Sequence, residues 1–174
     1  MRDHLRHFLR SRRATAAVEF AIIVPVLLVT AAGITEFGRY FCVSDATNRL
    51  ATQYAGVWSD CSDVPTGTCN TELSTLTSSA TIQNFAPQLI AGQASISMVQ
   101  ITMNGGTPTV VYSYPSGAAL SAAQTAAAFT FTNGQSGVIV TVSYNHTLAF
   151  FPVQMSQFLS SLLNISYTVS QLKS

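Results

Sequence analysis

The fold of this 174-residue chain is decided by one stretch, Arg12-Arg13-Ala14-Thr15-Ala16-Ala17-Val18-Glu19-Phe20-Ala21-Ile22-Ile23-Val24-Pro25-Val26-Leu27-Leu28-Val29. A basic segment ends at Arg13, a long apolar run follows, and one carboxylate, Glu19, lies just inside that run. An unpaired charge is costly in hydrocarbon, so an ionisable residue in such a helix is a functional hypothesis by default. The alternative is an acid near the lipid headgroups, stabilised modestly by the helix dipole.

Between Ala14 and Ile34, Glu19 is the only ionisable side chain. About 20 helical residues cross the roughly 30 Å of a bilayer core. We therefore predict a membrane-spanning helix over residues 15–35, in which Pro25 is tolerated. The alternatives are a buried helix of a soluble protein and a secretory signal peptide, cut at Val29-Thr30-Ala31 or at Ala31-Ala32-Gly33. The position of Glu19, the length of the apolar run and helical periodicity beyond Gly33 disfavour the signal peptide.

The charge is unevenly distributed. The first 14 residues contain five of the eight Lys and Arg residues and one acid, Asp3, so this segment carries +4 and the rest of the +1 chain carries −3. Basic residues before an apolar helix are typical of the cytoplasmic side of a membrane; the alternative is a basic tail that binds an anionic partner. No Asp, Glu, Lys or Arg occurs between Glu72 and Lys173, which argues against nucleic-acid binding.

Helical periodicity continues after the apolar run, and we predict one helix from about Thr15 to about Trp58. Two acid-first pairs, Glu36–Arg39 and Asp45–Arg49, fit the favourable i,i+3 and i,i+4 spacings. The second half of this helix is predicted to turn one apolar face, including Phe41 and Leu50, towards a folded domain. The aromatic residues Phe37, Tyr40 and Phe41 are expected at the far membrane interface.

The remaining pattern predicts an α+β domain with an antiparallel sheet. Residues 71–91 suit one weak helix, and residues 116–128 suit a short helix or a loop. Alternating strands are predicted at residues 94–103 and 109–114, joined by a turn at Asn104-Gly105, and again at 138–144 and 165–170. Residues 150–163 read as an interrupted helix or an apolar loop.

The chain has three cysteines. Cys61 and Cys69 flank a short loop that contains Pro and Gly, and we predict a disulfide between them if the compartment is oxidising; the alternative is two unrelated thiols. Their spacing does not suit zinc. Cys42 is predicted to be a small buried hydrophobe on a helix.

No catalytic constellation is evident in the sequence. His146, the only histidine outside the first 14 residues, follows a predicted strand and reads as a loop residue rather than a ligand. No serine lies in a Gly-x-Ser-x-Gly motif, and Gly105-Gly106 is better read as a turn than as a phosphate-binding loop. We expect no enzymatic activity, no metal site and no cofactor.

The segment from Arg13 to Ala21, with Pro25 in the apolar run and Glu36-Phe37-Gly38-Arg39 after it, closely resembles the start of TadE-like proteins. These are pseudopilins, or minor pilins, of the bacterial tight-adherence (Tad/Flp) pilus. A weaker similarity covers residues 138–144, the apolar segment with Pro152, and the last predicted strand.

The resemblance implies that a prepilin peptidase cuts between Ala14 and Thr15, which makes Glu19 the fifth mature residue. Most prepilins have Gly where this chain has Ala14. The resemblance also implies that the Glu19 carboxylate pairs with the amino terminus of a neighbouring subunit, with Phe20 packed beside it.

The expected organisation is a leader over residues 1–14, a transmembrane helix over 15–35 and a pilin-like periplasmic α+β domain over 36–174. The protein is expected in the bacterial inner membrane, single-pass, with a cytoplasmic amino terminus, and as a minor pilin that takes part in assembly of an adhesive pilus. The expected partners are other pilin or pseudopilin subunits, the prepilin peptidase, the inner-membrane assembly platform and membrane lipid, but not nucleic acid. The alternative function is a secreted or membrane-anchored binding domain, such as an adhesin, outside any fibre.

Overall fold

A computed structural model describes residues 12–61, 68–90, 92–117, 120–150 and 163–173. The chain divides into two compact units, Met1–Arg39 and Tyr40–Ser174. Both units contain part of one long helix, α1, which runs over Arg12–Ser59 and confirms the predicted continuous helix. The predicted α+β class with an antiparallel sheet is also confirmed.

The second unit contains a four-stranded sheet in the order β2-β1-β3-β4. The strands are β1 (Ala94–Asn104), β2 (Thr107–Tyr114), β3 (Ser136–Asn145) and β4 (Asn164–Leu172), and every neighbouring pair is antiparallel. The hairpin between β1 and β2 turns at Gly105 and Gly106, both with positive φ, which glycine adopts at little steric cost. All four predicted strands are therefore present, each slightly longer than predicted.

One face of the sheet packs with the Tyr40–Ser59 part of α1. Buried side chains recur along this helix at three- and four-residue spacing and meet alternate residues of β1 and β3: Val43, Ala46, Leu50, Ala51, Tyr54, Ala55, Trp58, Met98, Val138, Val140 and Val142. Trp58 is completely buried and stacks on Tyr112 of β2, with ring centroids 5.6 Å apart. Most of the buried apolar side chains in the described chain lie on this face, which therefore holds most of the core. Each buried Leu, Ile or Val contributes roughly 1.5–3 kcal/mol.

The opposite face of the sheet carries a smaller core beneath a short helix. Residues 116–128 were predicted as a short helix or a loop, and the structure forms a helix over Leu120–Thr130. Its Ala123 and Ala127 pack with Val99, Ile101, Met103, Phe131 and Ile139. Ala side chains let the helix lie close to the sheet, and the ring of Phe131 occupies the space above Gly137, where a Cβ atom would lie 2.2 Å from it.

The single helix predicted over residues 71–91 is wrong, because the structure has two helices in this region. They are α2 (Thr68–Leu76) and α3 (Ser79–Phe85). Ser78 between them has an extended backbone, and its hydroxyl accepts a hydrogen bond from the backbone N–H of Thr81 at 3.3 Å. Such a Ser favours a new helix start over continuation of the old helix. The helix over Leu120–Thr130 is therefore α4.

The structure confirms one prediction about the cysteines and contradicts another. Cys61 and Cys69 form a disulfide, with their Cα atoms 5.9 Å apart, as predicted. Cys42 lies on α1 but is exposed, so its predicted burial is wrong. The neighbouring Val43 takes the buried position, and a helix turns about 100° per residue, which leaves Phe41 and Cys42 on the outer side. Phe41, which was expected at the membrane interface, is exposed, and it does not pack on the sheet with the rest of the apolar stripe. The prediction for residues 150–163 lies mostly outside the described residues.

Candidate functional site

The candidate site is the part of α1 that belongs to the first unit. Its large apolar side chains are exposed along the whole segment: Val18, Phe20, Ile22, Ile23, Val26, Leu27, Leu28, Val29, Ile34 and Phe37. Among the described residues, Thr15–Ser59 is the one helix long and apolar enough to cross a membrane. Its most apolar window is not buried by protein, unlike the core helix of a soluble protein. The segment therefore presents a continuous apolar surface that lipid or other helices can cover.

Polar groups within this apolar segment are satisfied by the helix itself. The hydroxyl of Thr30 donates to the carbonyl of Val26 at 2.8 Å, and that of Thr35 donates to the carbonyl of Ala32 at 2.9 Å. Neither hydroxyl then needs a water molecule in a low-dielectric environment. Pro25 has no N–H and removes one backbone bond from the same helix. Apart from Glu19, residues 15–35 are thus suited to hydrocarbon.

Glu19 is exposed on α1, four residues after Thr15. Residues at i and i+4 lie on the same helix face with Cβ atoms about 5–6 Å apart, so Thr15 and Glu19 are neighbours on this face. Phe20 is also exposed and lies next to Glu19 in the sequence. Ala14 is part of α1 as well. The structure thus brings the four predicted residues together within the first two turns after Arg13.

Glu36 is another carboxylate of α1 and, unlike Glu19, it is buried. The sequence did not predict this burial. Glu36 is only 4% exposed, and the Nη1 of Arg39 lies 3.4 Å from each of its carboxylate oxygens. The spacing predicted this pair, and the structure adds that its carboxylate is shielded from water while the Arg39 side chain is partly exposed. The predicted Asp45–Arg49 pair forms at 3.1 Å and is exposed on both sides, where such a pair contributes little. The Glu36-Phe37-Gly38-Arg39 motif was the signal in the sequence for the importance of Glu36.

His146 is a loop residue, as predicted, but it is only 3% exposed. Its ring packs edge-to-face with Tyr40 at 5.9 Å between centroids, and its backbone N–H donates to the carbonyl of Leu163 at 2.9 Å. No group of three His, Cys, Asp or Glu residues that could hold a metal occurs in the described part of the chain. The surroundings of His146 that the structure describes are therefore those of a packed aromatic cluster.

An apolar groove of about 410 Å³ lies on the second unit between α1, α2 and α3. It is lined by Gln53, Tyr54, Gly56, Val57, Leu76 and Phe85. The hydroxyl of Tyr54 donates to the carbonyl of Leu76 and ties α1 to the end of α2. Burial raises the pKa of Tyr54 to about 12, so the phenol is a proton donor in this bond at neutral pH. The groove lining offers no general base or nucleophile.

Residues 14–55 of the chain match the family model described as TadE-like protein. The match begins at Ala14, covers the exposed apolar segment with Glu19, and extends into the buried half of α1. It confirms the predicted resemblance over this part of the chain. No curated protein and no solved structure gives a significant match.

Proposed function

We propose that this protein is a minor pilin or pseudopilin that takes part in assembly of a Tad-type pilus used for adhesion. The observation that carries the proposal is the TadE-like match over residues 14–55, which coincides with a helix whose apolar half is exposed. A helix of this kind can lie in a bilayer before assembly and pack against other helices afterwards. The proposal also includes a single-pass location in the inner membrane, with the amino terminus in the cytoplasm and residues 36–174 in the periplasm.

The proposed topology is supported from both sides of the apolar segment. Five arginines precede it, as the positive-inside rule requires of a cytoplasmic segment. After it comes a domain with the Cys61–Cys69 disulfide, a bond that persists in oxidising compartments such as the periplasm. The two ends of the helix therefore suit opposite sides of one membrane.

The proposed role of Glu19 follows from its place on the helix. Cleavage between Ala14 and Thr15 by a prepilin peptidase would create an ammonium group one turn before Glu19, on the same face. In an assembly, the carboxylate of one subunit would pair with the ammonium of a neighbour, and Phe20 would pack beside the pair. Two opposite charges desolvated together cost less free energy than either alone, so the pair would set the axial register of the helices.

The experiment is to express the full chain with and without the cognate prepilin peptidase and to measure the mass of the membrane-bound product. We expect an amino terminus at Thr15 only when the peptidase is present. Ala14→Gly, which introduces the usual prepilin residue, should be cut at least as completely as the natural chain. An amino terminus at Ala32 or Gly33, independent of the peptidase, would instead identify a secreted protein with an ordinary signal peptide.

Co-purification separates the proposed role from that of a binding domain outside any fibre. Sheared pili and the solubilised assembly platform of the producing strain are expected to contain this protein in its mature form. Its recovery in the membrane fraction alone, with pilus components absent, would contradict the assembly role.

A further inference from the structure

The two edges of the sheet differ in their capacity to pair with another strand. On β2, Pro108 has no N–H to donate, and its carbonyl accepts a hydrogen bond from Nε2 of Gln124 on α4 at 3.4 Å. The register of β2 against β1 also shifts between Gln100 and Ile101. Proline, a bulge and a covering helix are the usual means by which proteins block an edge strand. β2 is therefore a poor template for another chain.

Among the residues that the structure describes, none of these protections is found at β4. It pairs with β3 in unbroken register from Asn164 to Leu172 and contains neither proline nor a charged residue. In the described part of the chain, β3 is the only strand that pairs with it. Long, regular and uncharged edge strands are predicted sites of intermolecular pairing.

The backbone groups at this edge can be assigned from two hydrogen bonds. Lys173 N–H donates to the carbonyl of Ser136, and His146 N–H donates to the carbonyl of Leu163. In an antiparallel pair, hydrogen-bonded positions alternate, so the odd-numbered residues of β4 turn their N–H and C=O groups towards β3. The even-numbered residues turn these groups outwards: Asn164, Ser166, Thr168, Ser170 and Leu172.

We propose that the outer edge of β4 binds β4 of a second copy of this chain, in antiparallel register with Thr168 opposite Thr168. The four strands of each copy would then form one continuous sheet. In this register the outward-facing residues of the two strands oppose each other, which permits about ten backbone hydrogen bonds. This interaction surface lies within the second unit and does not depend on the proposed role in a pilus.

Both faces of β4 favour a second copy as the partner. On the core side, Tyr167 would oppose Val169, and both already pack against the apolar cluster of the sheet. On the other side, Ser166 would oppose Ser170, and Thr168 would oppose Thr168. These contacts would extend two rows of hydroxyl side chains that cross β1, β3 and β4. These rows are Ser95, Ser143 and Ser166, and Ser97, Thr141 and Thr168. A slip by one residue would place hydroxyls against apolar side chains, so the pattern of the two faces disfavours registers shifted by an odd number of residues.

Charge also permits the pairing. Within residues 163–173 the only charged residue is Lys173, which the two-fold arrangement places at opposite ends of the interface. Ten residues of extended strand separate the two lysines, or about 34 Å, which is well beyond the Debye length at physiological salt. The two β4 strands themselves therefore meet without like-charge repulsion.

Disulfide trapping tests the register directly, in the full chain solubilised in detergent and with Cys42→Ser to remove the exposed thiol. With Thr168→Cys, the two introduced cysteines would have Cα atoms about 5.5 Å apart, within disulfide range. With the control Ser166→Cys, the equivalent atoms would be separated by four residues, about 14 Å. We expect mild oxidation to give a covalent dimer with Thr168→Cys and at least tenfold less with Ser166→Cys. Equal yields, or no dimer with Thr168→Cys, would overturn the proposal.

A second pair of variants tests the interface without a cross-link. Thr168→Lys and Thr141→Lys each break the same 3.0 Å Thr141–Thr168 hydroxyl bond and add one cation to the same face. Only Thr168→Lys places two ammonium groups opposite each other across the proposed interface, where like charges are unfavourable. We expect the dimer dissociation constant, measured by sedimentation of the full chain in detergent, to be about fivefold higher for Thr168→Lys than for Thr141→Lys. Equal dissociation constants, or a natural chain that remains monomeric, would contradict a β4 interface.

Discussion

Both the sequence and the structure raise the question of why Glu19, a carboxylate, lies in an apolar segment. It is exposed on α1, in a segment whose other side chains suit hydrocarbon, and it lies one turn after Thr15. A carboxylate in such a place gains most from a cationic partner on another molecule. The proposed role of Glu19 in assembly would supply such a partner.

We predict that Glu19→Ala leaves the protein in the membrane and abolishes piliation, because the apolar segment is intact but the subunit lacks its register charge. The measurement is the amount of sheared pilin together with electron microscopy of the producing strain. Asp45→Asn is the control, because it removes an exposed carboxylate from the same helix, 66% exposed in its side chain, and should leave piliation unchanged. Wild-type pili with Glu19→Ala would count against the register role.

Gly137 is a residue whose role comes entirely from packing. A Cβ atom there would lie 2.2 Å from Cζ of Phe131 and 2.6 Å from its Cε1. We expect Gly137→Ala to lower the free energy of unfolding by about 1–3 kcal/mol, the usual cost of overpacking. The measurement is denaturant unfolding followed by fluorescence of Trp58, the one tryptophan of the chain, which is fully buried.

Two variants make this result specific. Gly56→Ala is the matched control, because its Cβ would have only Gln171 Oε1 within reach, at 4.0 Å, and Ala is favoured over Gly in a helix by about 1 kcal/mol. In a Phe131→Ala background the penalty of Gly137→Ala should largely disappear, because the colliding ring is gone. Equal penalties with and without the ring would show that the collision is relieved elsewhere.

At the scale of elements, the sequence predicts structure well where the determining pattern is local. The hairpin after β1, the alternation of β3 and the long periodicity of α1 each needed only neighbouring residues, and all are present, with the turn at Gly105-Gly106, one residue later than the Asn104-Gly105 signal. The break at Ser78 was missed, because an apolar stripe continues across it while one hydroxyl starts a new helix. Cys42 was misplaced because Val43, one residue further on, takes the buried side of α1, and only the position of the sheet decides between them.

Some features of the candidate site could likewise be predicted from the local sequence, and others could not. Ala14, Thr15, Glu19 and Phe20 were identified from a linear motif, and the structure adds that they share adjacent turns of one helix. The burial of Glu36 was not predictable, because the i,i+3 spacing to Arg39 is the same for a buried pair and an exposed one. The partner expected for Glu19 lies on another molecule, so neither the sequence nor the structure of one chain contains it.

The contact between α1 and the end of α2 predicts how stability depends on pH. Burial raises the pKa of Tyr54 from 10.0 to about 12 in the folded protein. A pKa above its unfolded value means that the protonated phenol stabilises the fold below pH 10, and that this stabilisation is lost as the pH rises towards 12. We therefore expect the free energy of unfolding to fall more steeply between these values in the natural chain than in Tyr54→Phe.

The measurement for Tyr54 is the unfolding midpoint, followed by Trp58 fluorescence at a series of alkaline pH values, in a Cys42→Ser background that removes the free thiol. At neutral pH, Tyr54→Phe should be less stable by about 0.5–1.5 kcal/mol, because the bond to the carbonyl of Leu76 is lost. The two curves should then converge as the pH rises. Parallel curves would show that the Tyr54 phenol does not contribute to the pH dependence.

At the scale of the whole molecule, the division at Tyr40 separates two kinds of stabilisation. Among the described residues, every fully buried member of the two apolar clusters lies between Val43 and Ile165, within the second unit. The described part of the first unit is helical and exposes its apolar side chains. A membrane or other subunits must cover these side chains, whereas the second unit contains its own core.

We therefore predict that a chain beginning at Tyr40 folds in water without detergent, because it retains all of the α1 residues that pack on the sheet. The measurement is its circular dichroism together with cooperative unfolding reported by Trp58, compared with the full chain in detergent. A chain beginning at Gly56 is the control, because it lacks Val43, Leu50 and Tyr54 and leaves the sheet face open. That shorter chain should not unfold cooperatively, since large losses of buried apolar surface exceed the 5–15 kcal/mol by which a domain is stable. Aggregation or non-cooperative unfolding of the Tyr40 chain would show that residues before Tyr40 are needed for the fold of the second unit.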